Sequence, residues 1–366
     1  MSSRIVAFAF LLLLKSALSA FAQQRTAIDY YRLINKAELA ICDSDIDRSY
    51  KLYTEAFKIN KNKPFSRDLL NAFHCAMDTR HYPAAERYLA RLLARGINEE
   101  TLANLKKSYT GLDLERINSF ITKYPNQTTK KNVMADSIDR LTEIDQSVRH
   151  YFQSHRTDGR YMNDSVRQVD RNNAATLFRM FVQYGLPDED EIGTFDNNPG
   201  SLPRYWVIIA HNRYDVDVEN PTDFDTMLYK GIFSFAVNAN YLIDVLNTED
   251  DNGFFPDHKF RYKSTVITMP LTVEFGAYGF GKEREVWPKY LHPDVEKRIN
   301  KDRSSFGLGT LDDQRRKFLF SEAHLSDKYE KYSIKALPVR FREAQTDEER
   351  DEMKKGYLKY KPALPR

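Results

Sequence analysis

Two short stretches carry residue types at spacings that suit acid–base chemistry. In "YWVIIAHNRYD" (205–215) a run of six apolar residues ends on His211, with Asn212, Arg213 and Asp215 just behind. An imidazole titrates near neutrality, so at the mouth of a buried segment it suits a general base. Capping a buried segment is the plainer role for the same residue. In "DQSVR", Asp145 and Arg149 stand four apart, the helical spacing at which an acid and a base meet. On a helical wheel Asp145 falls inside the apolar stripe of Ile138, Leu141, Ile144, Val148 and Phe152, with Arg149 at its edge. Buried charge is costly unless paired. The pair therefore orients His211 or a substrate, or it holds its helix in place as a structural ion pair. Taken alone, the structural role is favoured.

Other motifs fall short of their chemistry. "FGAYGFGKE" (275–283) has the glycine and lysine spacing of a phosphate-binding loop. Glu283 stands where a magnesium-binding serine or threonine is needed, and Tyr278 and Phe280 crowd the loop. It reads as a glycine-rich turn after a strand in "STVITMPLTVEF" (264–275). "TEDDNGF" (248–254) places Asp250, Asn252 and Gly253 as in half a calcium loop, but Thr248 and Lys259 miss the end positions. His150 and His155 lack metal-ligand spacing, and neither H-E-x-x-H nor G-x-S-x-G occurs. No metal and no cofactor is expected.

The elements that must position these residues begin after a stretch with the pattern of an export signal. Arg4 precedes an apolar run, Ile5–Leu14, and Ala20 and Ala22 form an A-x-A site before Gln23. That order of parts predicts a signal peptide at 1–22, cleaved after Ala22, and a periplasmic or secreted protein. The run is too short for a membrane span, and no cysteine follows the site for a lipid. No stable membrane insertion is expected after cleavage. Losing Arg4 and Lys15 takes the formal charge from +3 to +1. Such a near-neutral chain with interspersed charges has no footprint for nucleic acid.

The first hundred residues repeat. "LINKAELAICDSDI" (33–46) aligns with "LLNAFHCAMDTRHY" (69–82) at an offset of 36. Leu33 meets Leu69, Asn35 meets Asn71, Ala40 meets Ala76 and Phe57 meets Leu93. Each unit reads as two helices, with Leu89, Leu92 and Leu93 on one face and Gly96 as a stop. A third, degenerate unit runs from "INEETLANL" (97–105) through "LERINSFITKYP" (114–125). The period and the helix pairs resemble tetratricopeptide-type solenoids, although the Trp-Leu-Gly-Tyr pattern of the first helix is missing. That resemblance implies a protein or peptide partner for the concave face, with a docking or spacer role open beside it.

"YPNQTTKKN" (124–132) reads as a linker. Asn126-Gln127-Thr128 and Asn163-Asp164-Ser165 are formal glycosylation sequons. Beyond the linker a helix spans about 135–152. In a second, Leu177, Phe178, Phe181 and Val182 form the apolar stripe before the stop Gly185-x-Pro187. Ser201 and Pro203 mark a new start, which favours a buried helix ending at His211.

"LTEIDQSVR", "YGLPDEDEIG", "YWVIIAHN" and "INKDRSSFGLGTLDD" (299–313) resemble, in order and spacing, a bacterial domain family of unknown function. That family carries D-Q-x-x-R, G-W-P-x5-G, Gln-His and D-x-R-x3-G-L motifs. The resemblance covers roughly 135–320. It implies an all-α domain with Asp145, Gln146, Arg149, Gly185, Pro187, Gly193, His211 and Arg303 at family positions, and no activity. Ala210 replaces the glutamine before the histidine, and Leu186 replaces the tryptophan.

The expected protein is therefore mainly all-α, with at most a short strand or hairpin insertion. Tetratricopeptide-like hairpins occupy 23–125 and a linker 126–134. A helical domain follows at 135–320, and a C-terminal helical extension at 321–366. The leading function is an exported, non-catalytic binding protein of the cell envelope. The alternative is a hydrolase with His211 as general base, Asp145 and Arg149 orienting it or the substrate, and Arg303 in the same cleft. His211 is expected within reach of the Asp145–Arg149 pair. Whether Cys42 and Cys75 bridge is open.

Overall fold

The computed structural model describes residues 3–60, 63–126, 132–154, 161–194, 203–212, 227–228, 230–239, 273–279, 284–324, 328–334 and 339–361. The fold is mainly helical, with one three-stranded sheet among the described residues. Helices α1 (Ser3–Cys42) and α2 (Ile46–Ile59) form one hairpin, and α3 (Ser66–Asp78) and α4 (Tyr82–Arg95) a second. The end of α3 and both ends of α4 fall 36 residues after the end of α1 and both ends of α2. The turns repeat too. Ser44 and Arg80 both take φ 61°, and both turns close with a hydrogen bond back into the preceding helix, Asp45 N to Ala40 O and His81 N to Ala76 O. Leu69, Phe73 and Met77 of α3 pack with Leu89, Leu92 and Leu93 of α4 in the buried core. Each such side chain contributes about 1.5–3 kcal/mol by leaving water.

A third hairpin, α5 (Glu99–Lys107) and α6 (Gly111–Lys123), rests on α4. The Asn126 carboxamide closes it, donating to Ile97 O at 2.6 Å and accepting from Ile97 N at 3.0 Å. The amide of that sequon is thus already engaged with main chain, while Thr128 lies outside the described residues. Next come α7 (Val133–Ser154) and α8 (Tyr161–Tyr184), which pack together under α10 (Trp206–Asn212). The short α9 (Glu189–Ile192) touches both α7 and α4. Beyond these, α11 (Pro293–Ser305) leads to α12 (Leu311–Ala323), which lies across α1. Gly307 sits at φ 76° with its α-carbon so close to Ile28 that an added Cβ would lie 2.3 Å from the Ile28 carbonyl oxygen. Only glycine allows that loop to rest on α1.

The sheet has β1 (Val273–Tyr278) in the middle, antiparallel to β2 (Glu285–Pro288) and parallel to β3 (Val339–Glu343). Two expectations are corrected here. The stretch 321–366 is not a purely helical extension, since it supplies β3 before α13 (Asp347–Tyr357). "VRFRE" (339–343) alternates apolar and charged residues, which is the period of a strand. Gly276 is not a loop glycine either. It sits within β1 opposite Trp287, whose indole occupies the space of a Cβ at 2.3 Å. The lysine of that motif, the half calcium loop at 248–254, the strand reading over 264–272 and Ser201 lie outside the described residues. Met353 and Tyr357 of α13 cover Trp287 in a small second core.

No helix among the described residues is long and apolar enough to cross a membrane. Helix α1 runs unbroken through Ala22 into the first hairpin.

Both cysteines are free. Cys42 ends α1, while Cys75 is turned toward α2, 3.3 Å from the Ser49 hydroxyl. Burial pushes the Cys42 thiol up to about 11 and the Cys75 thiol up to about 12. The unreduced protein should therefore release two titratable thiols on denaturation and show little thiolate reactivity when folded at neutral pH. Fewer than two thiols in a denatured, unreduced titration would reveal a bridge.

Candidate functional site

Asp145 and Arg149 meet as their spacing implies. Asp145 is 0% exposed, and its Oδ1 accepts from Arg149 Nη1 at 3.0 Å. The third member was missed in the sequence. Asp170 of α8 takes Arg149 Nη2 on both oxygens at 2.9 Å. Asn173, also buried on α8, donates to the Leu141 carbonyl of α7 at 3.1 Å. The α7–α8 seam is thus partly polar, and two apolar assignments shift outward. Ile144 is 42% exposed and Val182 63% exposed, because the seam turns Asp145, Asp170, Asn173 and Leu177 inward instead. Two aspartates on one guanidinium suit a fastening between helices.

His211 lies in the last turn of α10, which packs on α8 and α7. Its side chain is outside the described residues. Arg303 is on α11, 1% exposed, donating from Nε to Gly309 O at 2.5 Å in the loop that rests on α1. Burial lowers its pKa to about 10, against the raising influence of Asp313. No group of three or more histidine, cysteine, aspartate or glutamate side chains among the described residues could hold a metal.

The densest polar arrangement among the described residues is on the hairpins. Arg67, Asn71, His74 and Asp78 recur along α3 at four, three and four, one face of a helix. Their repeat partners on α1 are Tyr31, Asn35, Glu38 and Cys42. The two rows face later parts of the chain. Asn35 donates to Asp313 Oδ2 at 3.1 Å, and Glu38 joins Arg67 and Lys317 of α12 at 2.9 and 2.6 Å. Along α3 lies the non-helical segment Lys331–Ile334. Asn71 Oδ1 accepts from Ser333 N at 2.7 Å, and Asn71 Nδ2 donates to Ser333 O at 3.2 Å. Arg67 Nε donates to the same carbonyl at 2.8 Å. Asp78 accepts from Lys331 Nζ at 2.5 Å and Tyr332 Oη at 2.8 Å. Lys331 also stands 4.6 Å over the Tyr109 ring, and the Tyr109 hydroxyl meets His74 Nδ1 at 2.9 Å. Burial, with Lys331 nearby, holds His74 well below its usual range, so it is neutral there. A polar row at helical spacing on an otherwise buried helix was the available signal.

No family model matches the chain, and no curated protein and no solved structure matches it either.

A second contact joins the hairpins to α9. Asp188 caps α9 with a full capping box and pairs with Lys63 at 2.8 Å. Glu189 accepts from Ser66 N at 2.5 Å and from Arg95 Nη1 at 3.0 Å. Asp190 pairs with Arg91 and Arg95 at 2.5 and 2.8 Å. Burial raises Asp190, but the two arginines outweigh it and hold the carboxyl at about 2. The acidic turn "PDEDEIG" (187–193) is therefore a plug between α3 and α4.

Asp68, on α3 between these contacts, accepts from Tyr30 Oη at 2.5 Å. Burial pushes its carboxyl up to about 7 despite that bond. A carboxyl raised above its unfolded value of about 4 contributes stability that is full below that value. The contribution falls as pH rises through the folded value. Relative to Asp68→Asn, the unaltered protein should lose stability between pH about 4 and about 7, measured by urea melts across that range. Parallel curves for the two proteins would remove Asp68 as the cause.

Proposed function

We propose that this is an exported, non-catalytic binding protein whose helical hairpins grip a polypeptide segment along the inner face of α3. The single observation carrying this reading is the two-point hold of Asn71 on the Ser333 main chain. A carboxamide that accepts from N–H and donates to C=O of one residue recognises backbone, whatever the side chain. Ser333 lies where the segment is not helical, and Asn71 meets both its amide and its carbonyl. The export pattern at 1–22 and the tetratricopeptide-like period agree with an exported binding role.

The test is an array of twelve-residue peptides probed with the full chain carrying Lys331→Glu, which sets two negative charges facing each other at Asp78 and loosens the bound segment. Retention of peptides, lost when Asn71→Ala is added, is the expected result. No retention, or retention indifferent to Asn71, would refute peptide binding at α3.

A further inference from the structure

We infer that Lys331–Ile334 is a ligand held in cis, standing in for a partner segment of Lys-Tyr-x-aliphatic chemistry that displaces it from α3. This rests on the binding role proposed above and names its ligand class and its resting state.

The contacts divide as they do in recognition of one chain by another. Main chain is held by Asn71 and Arg67 at Ser333, with no regard to the serine side chain. Selectivity comes from the two residues before it. Asp78 takes the Lys331 ammonium and the Tyr332 hydroxyl together, and the Tyr109 ring lies under the ammonium. His74 meets the edge of the Tyr332 ring at 5.8 Å. After the serine, Ile334 is buried at 1% exposure in the shared core, which favours an aliphatic side chain there. The segment is preshaped, with Tyr332 N donating to Tyr329 O at 3.0 Å and Ile334 N to Tyr332 O at 2.9 Å. A preshaped segment is held at less entropic cost, so a partner must offer the same turn and the same grips to compete.

The polar character of the face matters here. Arg67, Asn71 and His74 are each within 3% of complete burial. If the role were packing alone, apolar residues of similar volume would stabilise as well or better. Polar grips carry over unchanged to a segment from another chain, since they read backbone, charge and a hydroxyl. The face is also closed at its neighbouring edge by Lys317 on Glu38, and Ser321 of α12 donates to the Ile334 carbonyl at 2.6 Å, so exchange breaks that one bond while the Lys317–Glu38 pair keeps α12 seated.

The experiment uses a fluorescent peptide, KYEKYSIKA, copied from residues 328–336, and the full chain. Anisotropy should show weak binding to the unaltered protein and at least tenfold tighter binding to Lys331→Glu, whose own segment is loosened. Adding Asp78→Lys to Lys331→Glu restores opposite charges in cis and should return the peptide to weak binding. Peptides with phenylalanine for Tyr332 or alanine for Lys331 should bind the loosened chain about five- to tenfold more weakly. Circular dichroism melts confirm that the loosened chain is folded, and the charge-swapped double variant provides a folded reference if the single one is not. Equal binding to the unaltered and loosened chains overturns the cis ligand. Array peptides retained through Asn71 without Lys-Tyr-x-aliphatic preference overturn the ligand class and leave the binding role standing. No retention of any peptide removes the binding role itself.

Discussion

Replacing Glu38 by glutamine lowers folding stability by about 3–5 kcal/mol, the range for deleting one partner of a buried ion pair. Glu38 is the anion between two cations, Arg67 at 2.9 Å and Lys317 at 2.6 Å, and all three side chains are 4% exposed. Glutamine keeps the shape and one acceptor but leaves two positive charges facing each other away from water. Urea melts give the loss. The same melts on Glu38→Gln with Arg67→Met and Lys317→Met should show a smaller loss than the single change, because no uncompensated charge is then buried. A triple variant at least as unstable as the single one would contradict the charge account and point to lost packing.

Arg95→Met lowers stability by a similar amount, about 3–5 kcal/mol at pH 8, and by less at pH 5. Arg95 is nearly buried and holds both Glu189 and Asp190 of the α9 plug. Asp190 keeps Arg91, whereas Glu189 is left with the Ser66 amide. Burial already raises the Glu189 carboxyl above its usual range, outweighing Arg95, and removing Arg95 raises it further. A protonated carboxyl needs no counter-charge, so acid conditions relieve the variant. The sign follows from linkage: a group whose folded pKa is raised holds its stability at low pH and loses it as pH rises through that value. An equal loss at pH 5 and pH 8 would show that Glu189 does not take up the proton.

The helices and the hairpin repeat were legible because they rest on periodicity within a few turns. The 36-residue offset reappears in the helix ends and even in the turn geometry of Ser44 and Arg80. Asp145 was placed inside its stripe, and it is fully buried. The same stripe misassigned Ile144, because hydropathy alone does not reveal a seam that is partly polar. Asp170 was missed for that reason: its partner lies on another helix. The α3 row was visible as spacing, yet nothing in the spacing says what faces it. "VRFRE" shows strand alternation, but so short a run becomes a strand only where β1 offers it an edge.

By itself, then, the sequence determined the helical class, the repeat with its turns, and the burial of Asp145 on one face of its helix, since these depend on neighbours within one or two turns. Only the tertiary structure decided that β3 returns to β1, that Asp170 completes the Arg149 cluster, and that the chain's own Lys331–Ile334 fills the inner face of α3. Asn71 and Ser333 meet across 262 residues. A contact between such distant residues leaves no period in the sequence, because its geometry comes from how the packed helices fold back on one another.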